Sequence, residues 1–495
     1  MHVRSAAFGL SLALAMGCGS NDDEPTYYGD AKVIIDAKCA SCHQEGDIGP
    51  FPLTTFEELT EFAVPVRSSI ENGTMPPWQP SDDCNSYEGN FDLTAAERET
   101  LMAWLDAEMP EGDPDDAPSI APEAETFEAE LRLQLPEPYT PQLEPDDYRC
   151  QLIPWPYDEP RYVTGLRVTP DQRAIVHHTI VFVASPEQVA QYEAYDAAED
   201  GPGYTCYGGP RGSTEDGGGG GLGNLDPQRL IAALNKLGLT LADLQAGKVT
   251  SEQMTALITE LLGGDRNASS AGFASIGSWV PGVPANPYPA GTGIRVEPGS
   301  MLIVQMHYNT QSASPVADQS TIEIATVPTV EREAVNLAVV DLGWVTNGMF
   351  GDPMDIPAGA DNVAHDTTAD FDSILVLAAR QSLGLADDES LVIHSANHHM
   401  HELGSTQRTE VQHADGSTSC LLENPDWDFN WQGSYTLSEP VVFQPGDSLW
   451  MGCAWDNSAA NQPIIDGEAR EPSDVAWGEG TSDEMCLGSF YVTAE

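Results

Sequence analysis

The chain has little positive charge. Its 495 residues include 20 Lys and Arg against 78 Asp and Glu, a formal net charge of −58. Such a balance repels phosphate backbones and anionic headgroups, which argues against nucleic acid or an anionic membrane surface as partner. It reads as a solvated acidic surface, or more sharply as a docking face for a basic redox protein that donates electrons. Long apolar runs are also missing. The run Ser5 to Met16, which follows Arg4, is too short to cross a bilayer, and no later segment approaches the roughly 20 residues a spanning helix needs. Any contact with a membrane is therefore expected through a lipid anchor alone.

What is present is enough apolar residue, 41%, to bury real cores, over a length that corresponds to about three domains. Arg4 and the apolar run after it form an export signal, and Ala15-Met16-Gly17-Cys18 has the pattern of a bacterial lipoprotein cleavage box. Residues 1–18 are read as that signal, with Cys18 lipid-anchored at the periplasm or cell surface. Disulfides persist in that compartment. Of nine cysteines, Cys39 and Cys42 belong to a C-x-x-C-H run with His43. Cys84, Cys150, Cys206, Cys420, Cys453 and Cys486 form an even set that suits a disulfide framework, its pairing open.

Residues 19–115 carry helical patterning and read as a small all-α unit. Pro65 should split the pattern running from Glu57 to Glu71. Thr94 to Glu97 spells a capping box that opens a helix with Leu93, Leu101, Trp104 and Leu105 on its apolar face. An acidic, Pro-rich linker is expected over 116–140. Two all-β blocks of sandwich type follow, 141–330 and 331–495, on the evidence of short β-rich runs between turn residues. Expected strands include Tyr162 to Val168, Ala174 to Ala184, Met301 to Asn309, Ser373 to Ala378 and Leu391 to Ala396. The first β block contains a Gly-rich and helical insert over 215–270.

C-x-x-C-H is the attachment signature of haem c: two thiols for the vinyl groups and His43 as an axial ligand. A thioredoxin-like motif would need a βαβ context, and a zinc site a second ligand pair; neither is present. Met75, in the Pro-bounded run Thr74 to Trp78, supplies a thioether for the sixth iron position.

Further along, His177-His178, Met306-His307-Tyr308, His399-Met400-His401 and Ser482 to Cys486 concentrate imidazole and thioether donors. Soft sulfur with imidazole suits copper better than zinc or magnesium. On a strand, i and i+2 share a face, so His399 and His401 point together while His398 points away. His177 and His178 can serve one metal only where the strand is bulged or ending.

These motifs, in this order over roughly 145 to 495, resemble the copper type II, ascorbate-dependent monooxygenases, the family of peptidylglycine α-hydroxylating and dopamine β-monooxygenases. The residues that carry the likeness are Val176-His177-His178, Gln305 to Tyr308, His399 to His401 with Leu403-Gly404, and Asp483 to Cys486. The resemblance implies an electron-storing copper on His177, His178 and His307, and an oxygen-binding copper on His399, His401 and Met485, facing each other across a cleft. It implies a Cys453–Cys486 disulfide that braces Met485. It also implies O2, an external reductant (ascorbate-like or a protein donor), and an organic substrate with a hydroxylatable C–H bond. Asn397 stands where peptide-amidating members carry Arg, and Leu487 to Ser489 replace their polar anchors, which argues against a glycine-extended peptide. The expected protein is thus an exported monooxygenase with two coppers, fed by a fused cytochrome. The alternative is a non-catalytic electron-transfer lipoprotein that binds haem and copper.

Overall fold

The computed structural model describes residues 24–118, 127–206, 209–210, 227–245, 248, 253, 256–257, 274–281, 285–310, 313–348, 351–386, 388–465, 468–478 and 482–495. The signal read over 1–18, with Cys18, lies outside them, as does most of the 215–270 insert.

Helices Lys32–Lys38, Phe56–Glu61, Ala63–Asn72 and Ala95–Asp106 close around one apolar cluster that includes Tyr27, Ile35, Leu59, Leu101 and Trp104. The expected break before Pro65 occurs at Phe62, and Pro65 falls in the first turn of the second helix, where its missing N–H costs nothing. The capping box forms as spelled: Thr94 accepts from the Glu97 amide at 3.2 Å, and Glu97 accepts from the Thr94 amide at 2.7 Å. All four residues assigned to the apolar face are buried.

The rest is β-sheet. The first half supplies β1 (Leu131–Gln134), β2 (Asp146–Pro154), β3 (Arg161–Thr169), β4 (Val176–Ala184), β5 (Tyr204–Thr205), β6 (Ala274–Trp279), β7 (Asn286–Pro287), β8 (Thr292–Val296), β9 (Met301–Asn309) and β10 (Thr321–Val327). The second supplies β11 (Arg332–Val339), β12 (Val363–Asp370), β13 (Leu391–His399), β14 (Gly404–Gln412), β15 (Thr418–Asn424), β16 (Ser434–Phe443), β17 (Ser448–Trp455), β18 (Ile464–Ile465), β19 (Glu468–Ala469) and β20 (Leu487–Ala494). β1 lies inside the stretch read as linker: Leu131 and Leu133 alternate with polar residues, pack against the first sandwich's core and pair with β10.

The two sandwiches are not two separate pairs of sheets. One nine-stranded sheet runs through both, in the order β1-β10-β3-β8-β11-β20-β13-β16 with β7 beside β3. It is continuous because β8 and β11 pair in parallel, so each half closes what would be the other's open edge. A five-stranded sheet, β5-β2-β9-β4-β6, covers the first half, and a four-stranded sheet, β12-β17-β14-β15, covers the second. They lie on opposite faces. Ala334 and Tyr491 point into the first sandwich's core, whereas Leu337, Val339, Phe490 and Val492 point into the second's. The second half of the shared sheet therefore turns its other face toward the first sandwich.

One expected strand is a helix. Residues 374 to 378 of the expected run Ser373 to Ala378 fall in the helix Ile374–Ser382, which Ser373 precedes in extended backbone without a side-chain cap bond. Leu375 to Arg380 are all buried, so the segment shows neither an alternating nor a one-sided pattern, and a short apolar run does not discriminate strand from helix.

Three disulfides form: Cys84–Cys420, Cys150–Cys206 and Cys453–Cys486. The first ties the loop between the third and fourth helices of the helical unit to β15. Around it, Tyr87 Oη donates to the Leu421 carbonyl at 3.1 Å, Gln79 Nε2 to the Asp428 carbonyl at 2.7 Å, and Trp78 packs edge-on against Tyr435.

Candidate metal centres

His177, His178 and His307 converge, with their ligand atoms within 4.8 Å of one another. Nδ1 of His178 lies 3.4 Å from Nδ1 of His177 and 3.2 Å from Nδ1 of His307. Adjacent residues of a regular strand could not do this. The β4–β9 register shifts between Val176 and His178, and this bulge turns both rings to one side, where β9 presents His307. Behind the cluster, Nε2 of His307 meets Asp146 Oδ1 at 2.8 Å, which fixes the ring and leaves Nδ1 as the donor. Tyr148, on the same face of β2 as Asp146, stacks on His307 at 4.1 Å and 6°. Burial and the neighbouring imidazoles hold His178 and His307 well below the usual histidine range; His177 is lowered by burial against the pull of Asp146. Neutral imidazole is the metal-binding form.

The second set is built from both sides of the same sheet position. His399 ends β13, and the alternation continues past the strand: Met400 is buried in the second sandwich's core while His401 turns to the other side. The two imidazole rings lie 5.1 Å apart and nearly perpendicular. His399 Nδ1 donates to Gln432 Oε1, and His401 Nδ1 to the Asp483 carbonyl at 3.1 Å; both bonds place the lone pair on Nε2. Burial lowers His399 as well. Met485 precedes β20 and shares a face with Leu487 and Ser489; Glu484 and Cys486 turn inward. Cys486 reaches across the core to Cys453 of β17. Glu484 is buried and accepts from the His401 amide at 2.9 Å, the Leu403 amide at 2.6 Å and Trp455 Nε1 at 2.9 Å, so it clamps the His401 loop to the segment bearing Met485. Its carboxyl is pushed up to about 7, mainly by burial.

A single cavity of about 320 Å³ is lined by His178 from the first set and by His399, His401 and Met485 from the second. The sets are near enough for a charge on His399 to depress His178. His398 drops out as expected: its nitrogens go to Asn424 at 2.5 Å and Thr409 at 2.8 Å, away from the cavity.

In the helical unit, Cys39 and Cys42 are partly buried and not joined to each other. Burial pushes the Cys39 thiol up to about 12 and raises that of Cys42. His43 Nδ1 donates to the Phe51 carbonyl at 2.9 Å, leaving Nε2 as the donor atom. Gly49 packs so closely on His43 that a side chain there would collide with the ring. Met75 is half-buried in its Pro-bounded loop.

Sequence reasoning missed Asp146, Tyr148, Gln432 and Glu484. All act through non-local contacts. Only Glu484, beside Met485, carried a local hint: a carboxylate in a segment that must be buried.

Residues 384–493 match the family model described as copper type II ascorbate-dependent monooxygenase, C-terminal domain. This segment holds β13 to β17, most of β20, His399, His401, Met485 and the Cys453–Cys486 bridge, and leaves out β11 and β12, so the likeness to a family of oxygen-using copper oxidoreductases rests on that part of the second half. No curated protein matches the chain.

Proposed function

We propose that the protein is an exported copper monooxygenase that hydroxylates a C–H bond of an organic substrate with O2. One observation carries the reading: a three-imidazole set, through His178, and a His-His-Met set line the same cavity, and the second lies within the family-matched segment. The donors fit copper: imidazole nitrogens oriented by Asp146, Gln432 and the Asp483 carbonyl, and one thioether. Copper, when bound, supplies one-electron storage at His177, His178 and His307, and oxygen chemistry at His399, His401 and Met485. The chain's own part is to hold these donors still. The bulge in β4 aligns the first pair, the Cys453–Cys486 bridge and Glu484 keep Met485 in register, and the two sandwiches wall off the cavity.

The helical unit is proposed to carry haem c on Cys39 and Cys42, with His43 and Met75 as axial ligands, and to pass electrons to the first copper set in place of free ascorbate. Two observations support it. The His43 Nδ1 bond to the Phe51 carbonyl leaves Nε2 for an axial bond to iron, and Asp47, in the loop after the motif, forms a 2.9 Å ion pair with Arg173. Arg173 lies in the turn leading into β4 and is close enough to oppose the burial-driven rise of the Cys42 thiol. Three disulfides support an oxidising compartment, in keeping with the lipid anchor at Cys18.

Metal analysis combined with oxygen uptake tests the whole reading. The expected result is about two coppers and one haem per chain, with reductant-dependent oxygen consumption when a C–H substrate is added. Haem and copper without any such uptake over a substrate panel would instead identify an electron-transfer lipoprotein.

A further inference from the structure

The loop between β15 and β16, residues 425–433, touches both metal sets. Gln432 accepts from the His399 ring, Trp427 Nε1 donates to the His401 carbonyl at 3.2 Å, and the Phe429 ring stands edge-on to the His401 ring at 6.0 Å. Asn430 reaches the other way. Its Nδ2 donates to Asp428 Oδ1 at 2.9 Å, which leaves its amide oxygen as an acceptor, and its side chain hydrogen-bonds to His177 of the first set. One loop of the second half therefore orients a ligand in each set, and groups behind a ligand govern how well it binds.

What holds this loop comes from the helical unit. Residues 78–88, between its third and fourth helices, bond to the strands on either side of the loop. The Ser81 amide donates to the Glu423 carbonyl at 2.8 Å near the end of β15, and the Glu88 amide to the Thr436 carbonyl at 2.8 Å near the start of β16. Gln79 is 9% exposed and uses both ends of its side-chain amide. Its Nε2 donates to the Asp428 carbonyl at 2.7 Å, and its Oε1 accepts from Asn424 Nδ2 at 3.3 Å. Asn424 in turn accepts from Nδ1 of His398, the residue before His399. A buried amide paired at both ends is directional, as apolar packing is not, and removing it leaves two buried partners unsatisfied. It fixes where Asp428 sits, and with it the run that carries Asn430 and Gln432.

We propose that residues 425–433 are a shared positioning element for the two metal sets, with Gln79 and Asn430 as positioning residues: Gln79 sets the loop against the second set, and Asn430 carries its register to the first. The inference rests on the copper reading of both sets. It makes the helical unit part of the scaffold of the second set, in addition to any redox role. A substitution inside one set leaves the other alone, whereas a change in the anchorage of this loop reaches both.

The test is copper(I) binding to the full chain by competition against a chelator, with EPR of the copper(II) form as a second readout. Gln79→Met, which keeps length and bulk but makes neither bond, should weaken the second set about tenfold and the first about threefold, and change the EPR signal. Asn430→Ala, at an exposed position, should weaken the first set about threefold although it lies in the second half, and decides the matter where Gln79→Met does not fold. Asn85→Ala removes a 2.8 Å bond from the same residues 78–88 to the Cys420 carbonyl, outside the loop, and should change neither affinity. Unchanged copper binding in Gln79→Met or in Asn430→Ala, or equal losses in Gln79→Met and Asn85→Ala, would overturn the inference. An unaltered chain that binds copper at both sets without oxygen uptake removes the monooxygenase reading alone, and one that binds no copper removes both.

Discussion

The two metal sets reach similar ends by different construction. The first is made within one sandwich: two neighbouring strands, a bulge, and a carboxylate behind His307. The second is assembled from segments far apart in sequence: the end of β13, the loop after it, and the run before β20, joined by Glu484 and a disulfide across the core. In the proposed reading, the three imidazoles backed by a carboxylate store an electron. Two imidazoles backed by an amide and a carbonyl, with a thioether, form a softer set suited to Cu(I) and oxygen. The difference implies that each set should fail separately and for its own reason.

The largest effect is expected from the thioether and its partner imidazole. Met485→Ala or His401→Ala should abolish hydroxylation and reduce copper from about two to about one per chain, with the first set intact. Oxygen uptake and metal analysis on the same sample check this; retained activity in both variants would remove the assigned oxygen site.

Breaking the brace comes next. Cys453→Ser with Cys486→Ser opens a loop of 33 residues, for which chain entropy gives about 3–4 kcal/mol of lost stability. Denaturant unfolding measures the loss, and copper titration should show the second set weakened while the first holds. Equal weakening of both would mean the bridge supports the sandwich rather than Met485.

Asp146→Asn sharpens the contrast from the other side. It keeps the shape but removes the carboxylate behind His307, and should lower copper affinity of the first set about 10–100-fold without touching the second. Competition against a copper chelator reads it directly.

The smallest effect is in protonation. In the copper-free protein the imidazoles of His178 and His307 should stay neutral by NMR through the range where an ordinary histidine takes up its proton, because burial and the neighbouring imidazoles hold both well below that range. The sign follows: near pH 6.5 and below, the unfolded chain takes protons that the folded cluster refuses. Their contribution to stability is therefore complete above that pH and is lost as pH falls toward the folded values. The raised Glu484 acts oppositely over about pH 4.5 to 7, so the resonances are a cleaner readout than the melting curve.

The donors were legible in the sequence because each sits in a short local pattern: an adjacent pair, an i, i+2 pair, a Met beside Cys. The helix caps were legible for the same reason, since Thr94 and Glu97 act within one turn. What supports the donors was not. Asp146 meets His307, Gln432 meets His399 and Glu484 meets Leu403 only through strand pairing and loop packing over long separations. The shared sheet escaped notice too, because its join rests on three paired positions of β8 and β11 that carry no special composition. The buried helix Ile374–Ser382 is apolar nearly all round, and hydrophobic pattern speaks only where one face is wet.

The central claim is that two chemically different copper sets face one cavity. X-ray absorption at the copper edge, on the fully loaded and reduced protein, tests it most directly. The account predicts nitrogen scatterers throughout, with about one sulfur for every two coppers at a distance near 2.3 Å, and loss of that sulfur in Met485→Ala. A sulfur signal that survives Met485→Ala, or copper bound with no sulfur at all in the unaltered protein, would contradict it.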